Sequence, residues 1–280
     1  MSHRAVFDGL GDETWRQYVD LDSQSHGPLA YERGLGKGRE EPGYLASMAA
    51  AHRLVRESLG RRLTVDFLAE LHRTTLAHAP PQQTYRPSSS YVWLHRDRLE
   101  PGIERVWAAH DATVDEESER LVRLTFAAHT RESFVASIEA AIDALYLALE
   151  RARDTEPRLR AIAEFHQSLE LWHPTSDGNT RRHTLVLGKL LVEAGETPVI
   201  MTEINDAYVR LPPSWARMIK QGMKRWCVVR DAVASGEDVE ERMRSFDREG
   251  AIGRRGARWL SPSRTSYAQA DWEHVSFVDD

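Results

Sequence analysis

Residues 173–183, HPTSDGNTRRH, combine side chains that suit the chemistry of phosphate transfer. The imidazole of His173 can remove a proton from a hydroxyl group, and the carboxylate of Asp177 can hold Mg²⁺ against a diphosphate. Gly178 permits a tight turn before an apolar helical pattern, and the free N–H groups at a helix start attract anions. Arg181 adds a two-pronged phosphate contact. The segment therefore predicts a base, a metal ligand and an anion site.

The same segment resembles the Fic signature, His-Pro-Phe-x-Asp/Glu-Gly-Asn-Gly-Arg-x-x-Arg. The matching positions are His173, Pro174, Asp177, Gly178, Asn179 and Arg181. The flanking sequences FHQSLELWHP and EAGETPVI are also similar to the family. A weaker resemblance is TYRPSSSYVWL, placed like the Tyr-Arg-led flap hairpin of Fic proteins. The resemblance covers roughly residues 44–205.

Membership of that family implies a mainly α fold, a Fic-like helical bundle with a small β-hairpin flap. It also implies transfer of a nucleotidyl group, by default AMP from ATP with Mg²⁺, to a hydroxyl side chain of a target protein docked along the flap near residues 85–95. By this resemblance His173 is the catalytic base and Asp177 the metal ligand. The cofactor-binding residues implied in the same way are Gly178, Asn179, Thr180, Arg181 and Arg182.

Three threonines depart from the signature. Thr175 replaces the phenylalanine that anchors the loop, and Thr180 replaces the second glycine, although a β-branched residue tolerates positive φ poorly. Thr184 replaces the last arginine, which meets the γ-phosphate in the family, and either Arg182 or His183 could substitute for it. Two alternatives to ATP-dependent transfer therefore stay open: a diphosphate donor such as CDP-choline or a nucleotide sugar, and a non-catalytic module that binds a nucleotide or a partner.

Other motifs favour simpler interpretations. Residues 245–250, SFDREG, fit the inhibitory Ser/Thr-x-x-x-Glu-Gly motif of Fic proteins, but a chance match is favoured because the glutamate's partner arginine is Thr184 here. His166 lies seven residues before His173, a helical repeat that indicates a core histidine. His72, His78 and His95 lack metal-ligand spacing and are interpreted as surface or packing residues, which disfavours a metal-dependent hydrolase. The run DEESER, residues 115–120, is interpreted as a solvated helix face.

Helices are predicted wherever apolar residues recur at helical spacing. The predicted helices span residues 44–59, the stretch from Thr64 as N-cap to the prolines Pro80 and Pro81, 134–152, 157–172, the stretch from the 173–183 loop to Gly195, 214–234 and 239–246. A short strand or hairpin is predicted at residues 91–94. The expected organisation is an N-terminal extension (1–43) that is a loop or loosely docked, a Fic-like catalytic domain (44–245) and an irregular C-terminal tail (246–280).

Composition limits the classes of partner. The chain has 280 residues and a net charge of 37 minus 43, or −6, so no basic field indicates nucleic-acid binding. Cys227 is the only cysteine, which excludes an intramolecular disulfide. The N-terminus lacks the apolar core of a signal peptide, and no apolar run approaches the about 20 residues that span a membrane. A cytoplasmic protein, or a translocated effector without a classical signal peptide, is expected.

Overall fold

Apolar side chains at helical spacing build most of the protein. The computed structural model describes residues 2–35, 40–79, 89–175 and 177–252. Its helices are α1 (His3–Phe7), α2 (Leu21–Gln24), α3 (Tyr44–Ser58), α4 (Val65–Thr75), α5 (Glu104–Ala108), α6 (Arg131–Arg151), α7 (Thr155–Trp172), α8 (Asn179–Glu193), α9 (Pro212–Ser235) and α10 (Val239–Ile252). Its strands are β1 (Ser90–His95), β2 (Ala112–Glu117) and β3 (Leu121–Phe126). The predicted fold class, mainly α with a small β element, is confirmed.

Helix α8 lies at the centre of the bundle, against α1, α3, α4 and α7. Every residue from Arg181 to Val192 is buried, as expected for a helix that is apolar on most of its circumference. Lys189 is also buried, and its ammonium donates hydrogen bonds to the carbonyl oxygens of Ser58 and Arg61 and to the carboxylate of Glu193. The start of α8 is therefore buried within the bundle, directly after the loop that precedes it.

The predicted helix signals agree with the observed helix ends. The hydroxyl of Thr64 accepts a hydrogen bond from Phe67 N at 3.1 Å and caps α4. Gly195, at φ +87°, terminates α8, and Glu196 N donates to Leu191 O at 2.9 Å. The predicted helices that follow Tyr44, Phe134, Pro157 and the 173–183 loop are likewise present.

The sheet is larger than the predicted hairpin. Strand β3 lies between β1 and β2, and both pairs are antiparallel. Alternate β3 side chains, including Leu124 and Phe126, are buried, so the strand has one face in a second hydrophobic cluster with Trp107 and Tyr208. Only β1 was predicted, because the β3 sequence LVRLTF is too short for its alternation to be distinguished from a helix segment.

The interpretation of DEESER as a helix face is wrong. Residues 115–117 end β2, and residues 118–120 form the turn into β3. The carboxylate of Asp115 accepts hydrogen bonds from Arg123 (2.8 Å) and Thr125 (2.7 Å) on the neighbouring strand. The carboxylate therefore has cross-strand partners, which a local charge pattern does not reveal.

The N-terminal segment is not a loosely docked loop, in contrast to the prediction. Phe7, Trp15 and Tyr31 are buried in the same hydrophobic cluster as the central helices, and the Phe7 ring stacks on His52 at 4.3 Å between centroids. Phe7 lies in α1, Trp15 in the 3₁₀ helix Gly11–Gln17 and Tyr31 in a run of turns. The segment therefore shares the core of the predicted catalytic domain, although its glycines and charges resemble those of a surface loop.

Helix α10 continues beyond the predicted end at residue 246. It extends to Ile252, and Asp247 accepts a hydrogen bond from Arg225 on α9 at 2.9 Å. The predicted irregular tail therefore begins later than residue 246, and residues 253–280 lie outside the described residues. None of the helices in the described ranges is both long enough and apolar enough to cross a membrane.

Candidate active site

His173 terminates α7 in the left-handed region of backbone space, at φ +45° and ψ +56°. The following Pro174 disfavours continuation of the helix. The imidazole stacks on the Phe126 ring with centroids 4.6 Å apart and planes 3° apart, and its Nδ1 lies 3.2 Å from the hydroxyl of Tyr208. The predicted base is therefore fixed by a strand residue on its face and by a hydroxyl at one ring nitrogen.

Glu170 and Tyr208 extend this arrangement into the protein interior. Tyr208 ends the 3₁₀ turn Ile204–Tyr208, and its hydroxyl donates to Glu170 Oε2 at 3.0 Å. Glu170 is completely buried, and burial raises the pKa of its carboxyl group. The sequence analysis identified neither residue. Glu170 could have been found from its position one helical turn before His173, whereas no sequence pattern connects Tyr208 with the site.

Thr175 anchors the loop between α7 and α8 by polar contacts. It is completely buried, and its N–H donates to Asn179 Oδ1 at 3.1 Å. Asn179 Nδ2 donates back to Thr175 O at 2.6 Å. The Thr175 hydroxyl lies 2.6 Å from Asn179 Oδ1 and 2.8 Å from Asp177 O. A polar anchor thus occupies the position of the family's phenylalanine, which the sequence had suggested was simply lost.

Gly178 is required by both its backbone and its surroundings. Its φ is +76°, in the left-handed region that favours glycine. A Cβ atom here would lie 2.9 Å from Leu76 Cδ1. The predicted tight turn is present, but the space left by the missing side chain is filled by Leu76 of the α4 end.

His72 of α4 supports the same loop. Its Nε2 lies 2.9 Å from Asp177 O, and because a carbonyl can only accept, Nε2 carries the proton. Burial, followed by the positive charge of Arg182, lowers the pKa of His72 to about 4, so the ring is neutral near pH 7. The sequence had placed His72 among surface or packing residues, and its partner lies 105 positions away.

The start of α8 presents backbone donors next to Asp177. The first helical hydrogen bond is donated by Arg182 N to Gly178 O at 3.1 Å, so the N–H groups of residues 179–181 precede it. Thr180 replaces the second glycine of the signature, but it lies inside α8 and does not have a positive φ. Its hydroxyl lies 3.5 Å from Asn205 Oδ1. The α8 start therefore has the geometry of an ordinary helix N-terminus, whose free N–H groups can bind an anion.

Arg181 is engaged by a carboxylate. Its Nη2 donates to both carboxylate oxygens of Glu41, at 2.8 and 2.6 Å, and its guanidinium lies 5.2 Å from the centroid of the Tyr44 ring. Both charged side chains are buried, with side-chain exposures of 6% and 5%. Glu41 precedes α3, and sequence reasoning did not connect it with the site. A phosphate that binds at Nη2 would have to displace or share the carboxylate.

The residues considered as substitutes for the last arginine face the interior. Arg182 Nη2 lies 2.7 Å from His183 Nε2 and donates to Asn179 Oδ1 at 3.3 Å. Burial and Arg182 hold the pKa of His183 well below its usual range. The Thr184 hydroxyl donates to Thr180 O at 2.8 Å. In this arrangement neither Arg182 nor His183 replaces the family arginine at the surface of the loop.

The metal-binding prediction rests on Asp177, whose Oδ1 accepts a hydrogen bond from Gly178 N at 2.6 Å. No group of three or more His, Cys, Asp or Glu side chains suited to a metal ion occurs among the described residues. A single carboxylate fits Mg²⁺, which retains several waters and takes phosphate oxygens as further ligands. The donor set therefore fits Mg²⁺ that arrives with a nucleotide.

Comparison with solved structures identifies the architecture. The crystal structure of a Fic domain containing signaling protein from Bacteroides thetaiotaomicron VPI-5482 matches with a TM-score of 0.52 over 82% of this chain and 90% of that one. The chain has a Fic fold. Sequence identity to that protein is 14%, so the similarity concerns the fold. A Fic family protein from Desulfovibrio desulfuricans G20 also matches, with a TM-score of 0.35, 14% identity and coverage of 93% of this chain and 66% of that chain.

No family model and no curated protein sequence matches the chain. The assignment of roles to His173, Asp177 and the residues of the α8 start therefore stays a prediction within a Fic fold. His166, by contrast, is confirmed as a core histidine, because it is buried and packs 5.5 Å from the Trp215 ring.

The predicted flap falls partly outside the described residues, which resume at residue 89 after a gap from 80 to 88. Strand β1 is an edge strand of the described sheet, and its first residue, Ser90, is paired with Phe126. Because Phe126 stacks on His173, the beginning of β1 lies near the imidazole. Tyr91 is half exposed, and the guanidinium of Arg123 lies 5.4 Å from its ring centroid.

Proposed function

We propose that this protein is a Fic-type transferase that moves a nucleotidyl group, by default AMP from ATP, to a hydroxyl side chain of a target protein. One observation supports the proposal above the others: the short loop that connects α7 to α8 begins at His173 and ends with Asp177 and Gly178, immediately before the free N–H groups of the α8 start. A proton acceptor next to an anion site is the arrangement that phosphoryl-type transfer requires.

In the proposed reaction His173 accepts the proton of the target hydroxyl. The hydroxyl oxygen then forms a bond to the α-phosphorus of ATP as the bond to the β-phosphate oxygen breaks, which releases pyrophosphate. The backbone N–H groups of residues 179–181 stabilise charge on the phosphate oxygens. Bound Mg²⁺, held by Asp177 and the phosphates, would neutralise further negative charge.

Arg181 contributes to this site only after an exchange of partners. One guanidinium nitrogen, Nη2, contacts both carboxylate oxygens of Glu41, and a phosphate oxygen can accept from the same donor. In the proposed complex a phosphate of the donor takes the place of the carboxylate. The donor must therefore compete with a buried internal anion, which weakens its apparent affinity.

A donor with two phosphates, such as CDP-choline or a nucleotide sugar, is the second candidate. The specific observation in its favour is the inward position of Arg182 and His183 together with the internal hydrogen bond of Thr184. With these side chains directed into the bundle, the loop offers fewer cationic groups to a third phosphate. Choline-phosphate or sugar-phosphate transfer would use the same base and the same helix start.

The target is proposed to dock as an additional strand along β1. An edge strand offers backbone hydrogen bonds to an extended peptide with little demand on its sequence. The pairing of Ser90 with Phe126, and the stacking of Phe126 on His173, would bring the peptide close to the base.

The proposal is tested by incubating the protein with Mg²⁺, a lysate and each donor in turn: ATP, CTP, GTP, UTP, CDP-choline and several nucleotide sugars. Intact-protein mass spectrometry measures the mass added to the protein and to its targets. A discrete adduct that vanishes in His173→Ala, but persists in His26→Ala at an exposed histidine, supports the transferase and identifies the donor. Donor binding without any adduct would instead support the non-catalytic module.

A further inference from the structure

His173, the proposed base, is connected to the protein core by a series of buried hydrogen bonds that the proposed function does not explain. His173 Nδ1, the Tyr208 hydroxyl and Glu170 Oε2 follow one another at 3.2 and 3.0 Å. Tyr208 and Glu170 are 2% and 0% exposed, so bulk water does not compete for these contacts. The chain links an imidazole at the proposed site to a carboxyl group in the core.

A second buried histidine lies on the other side of the same carboxyl group. Arginine has only donors, so His183 Nε2 accepts from Arg182 at 2.7 Å. The proton of the neutral His183 ring is therefore on Nδ1, which lies 3.1 Å from Glu170 Oε1 without the geometry of a hydrogen bond. The partial positive charge of this N–H group favours the ionised form of the carboxyl group.

We propose that Tyr208 and Glu170 are positioning residues that hold His173 in the tautomer with its proton on Nδ1, which leaves Nε2 as the proton acceptor. The tyrosine has one hydroxyl proton, which it donates to the Glu170 carboxylate. Its oxygen can then only accept, so the hydrogen at His173 Nδ1 is donated to it. The inference rests on the proposed function for its catalytic meaning, but the tautomer itself does not.

The charges around Glu170 determine whether the carboxyl group is ionised. Burial raises its pKa, whereas His166, the Tyr208 hydrogen bond, His173 and Arg182 lower it. Burial also lowers the pKa values of His166 and His183, so both rings are neutral near pH 7. Arg182 is then the permanent cation among these groups, and its charge offsets part of the rise in the Glu170 pKa that burial causes.

A protonated Glu170 would produce the opposite His173 tautomer, which distinguishes the two states by experiment. A protonated Glu170 could donate to the Tyr208 oxygen, and the tyrosine proton would then be directed at His173 Nδ1. The imidazole would carry its proton on Nε2 and could not accept one from a hydroxyl. Glu170→Gln imitates this state, because the amide nitrogen can donate to the tyrosine oxygen.

The test is ¹⁵N NMR of the full chain labelled at histidine nitrogens, at neutral pH without donor, with the His173 signals identified by their loss in His173→Ala. We expect a protonated Nδ1 in the wild type, and a shift towards protonated Nε2 in both Tyr208→Phe and Glu170→Gln. Tyr146→Phe is the matched control, since it loses a hydrogen bond from Leu63 N elsewhere and should leave the tautomer unchanged. Thermal unfolding measures whether each variant is folded.

A wild-type His173 protonated on Nε2 would overturn the proposal, as would an unchanged tautomer in folded Tyr208→Phe. If Glu170→Gln does not fold, the spectra of the wild type and Tyr208→Phe still show which nitrogen of His173 is protonated and whether Tyr208 determines it. With an active donor, kcat should fall by on the order of 100-fold in Glu170→Gln and less in Tyr208→Phe, because the wrong tautomer disables a histidine base. The expected tautomer in a protein that transfers no group would contradict the proposed function and leave this inference intact.

Discussion

The two halves of the candidate site differ in how their polar groups are used. At the end of α7, the His173 imidazole lies on Phe126 and contacts Tyr208, an arrangement that orients one ring. At the start of α8, Arg181 is paired with Glu41 and Arg182 is buried beside His183. The proposed base half, at the end of α7, is therefore positioned in the structure as it stands, whereas the cations of the proposed phosphate half, at the start of α8, have internal partners. We therefore expect donor binding to require a rearrangement at Arg181, and we expect no such change for His173.

The largest expected effect concerns the ion pair between Arg181 and Glu41. Glu41→Ala leaves a buried guanidinium without its carboxylate, and we expect a loss of about 3–5 kcal/mol in the free energy of unfolding. Chemical denaturation measures the loss. Asp143→Ala, which removes the carboxylate from a pair with exposed side chains, is the control and should cost less than about 1 kcal/mol.

A cost for Glu41→Ala as small as that of Asp143→Ala would mean that water or other groups solvate Arg181 easily. The phosphate half would then be as ready for a donor as the base half, and the contrast between them would disappear. The double substitution Glu41→Leu with Arg181→Met should recover most of the stability, since neither buried charge remains.

The loop that joins the halves is tested by Gly178→Ala. The left-handed backbone and the contact of the new Cβ with Leu76 should together destabilise the protein by about 2–4 kcal/mol. Gly236→Ala is a matched control, because it has a similar φ of +72° but nothing within 4 Å of the added Cβ. Thermal and chemical unfolding should show a smaller effect for Gly236→Ala; equal effects would mean that the packing of Leu76 under the loop is unimportant.

Acid should weaken the support of the loop through His72. Its folded-state pKa, about 4, lies below the unfolded value of 6.5, so the unfolded chain binds more protons between these limits. The stabilisation is present above pH 6.5 and is lost as the pH falls towards 4, by up to about 1.4 kcal/mol per pH unit. His72→Gln retains a donor for Asp177 O and should reduce this slope in denaturation measured from pH 7 to pH 4.5. An unchanged slope would show that His72 titrates normally in the folded protein.

The smallest expected effect is on target docking. Tyr91→Ala removes a half-exposed aromatic ring from β1 and should raise the KM for the target protein by a few-fold, since exposed cross-strand aromatic contacts are worth about 0.2–1 kcal/mol. Leu147→Ala removes a similarly exposed apolar side chain from α6 and should leave KM unchanged. Donor affinity should be the same in both variants, and a change confined to donor affinity would contradict docking along β1.

The helix ends, the buried helix faces and the loop before α8 could be predicted from the sequence, because interactions between residues close in the chain determine them. Thr64, Gly195 and the apolar spacing of α6 to α9 specify helix ends and buried faces through interactions within a few residues. The loop before α8 was predicted for the same reason, because Gly178 and the apolar run after it lie in one stretch of chain. The positive φ at Gly178 is the clearest instance.

The contacts of Arg181 and His173 could not be predicted, because they depend on partners that are distant in sequence. The Glu41 carboxylate meets Arg181 from 140 residues away, and Tyr208 approaches His173 from a separate turn. No spacing rule connects such residues, since the packing of whole helices brings them together. At Thr175 the sequence shows that the family's phenylalanine is replaced. It does not show the polar contacts of Thr175 with Asn179, because these contacts form only in the folded loop.

The most direct test measures donor binding and group transfer in the same samples of wild type and His173→Ala, with the donor that the mass-spectrometric panel identifies. We expect equal donor affinity, because His173 lies outside the proposed phosphate half, and transfer reduced by at least about 100-fold, because the general base is lost. Transfer at the wild-type rate in His173→Ala would contradict the proposal that this histidine is the base of a Fic-type reaction.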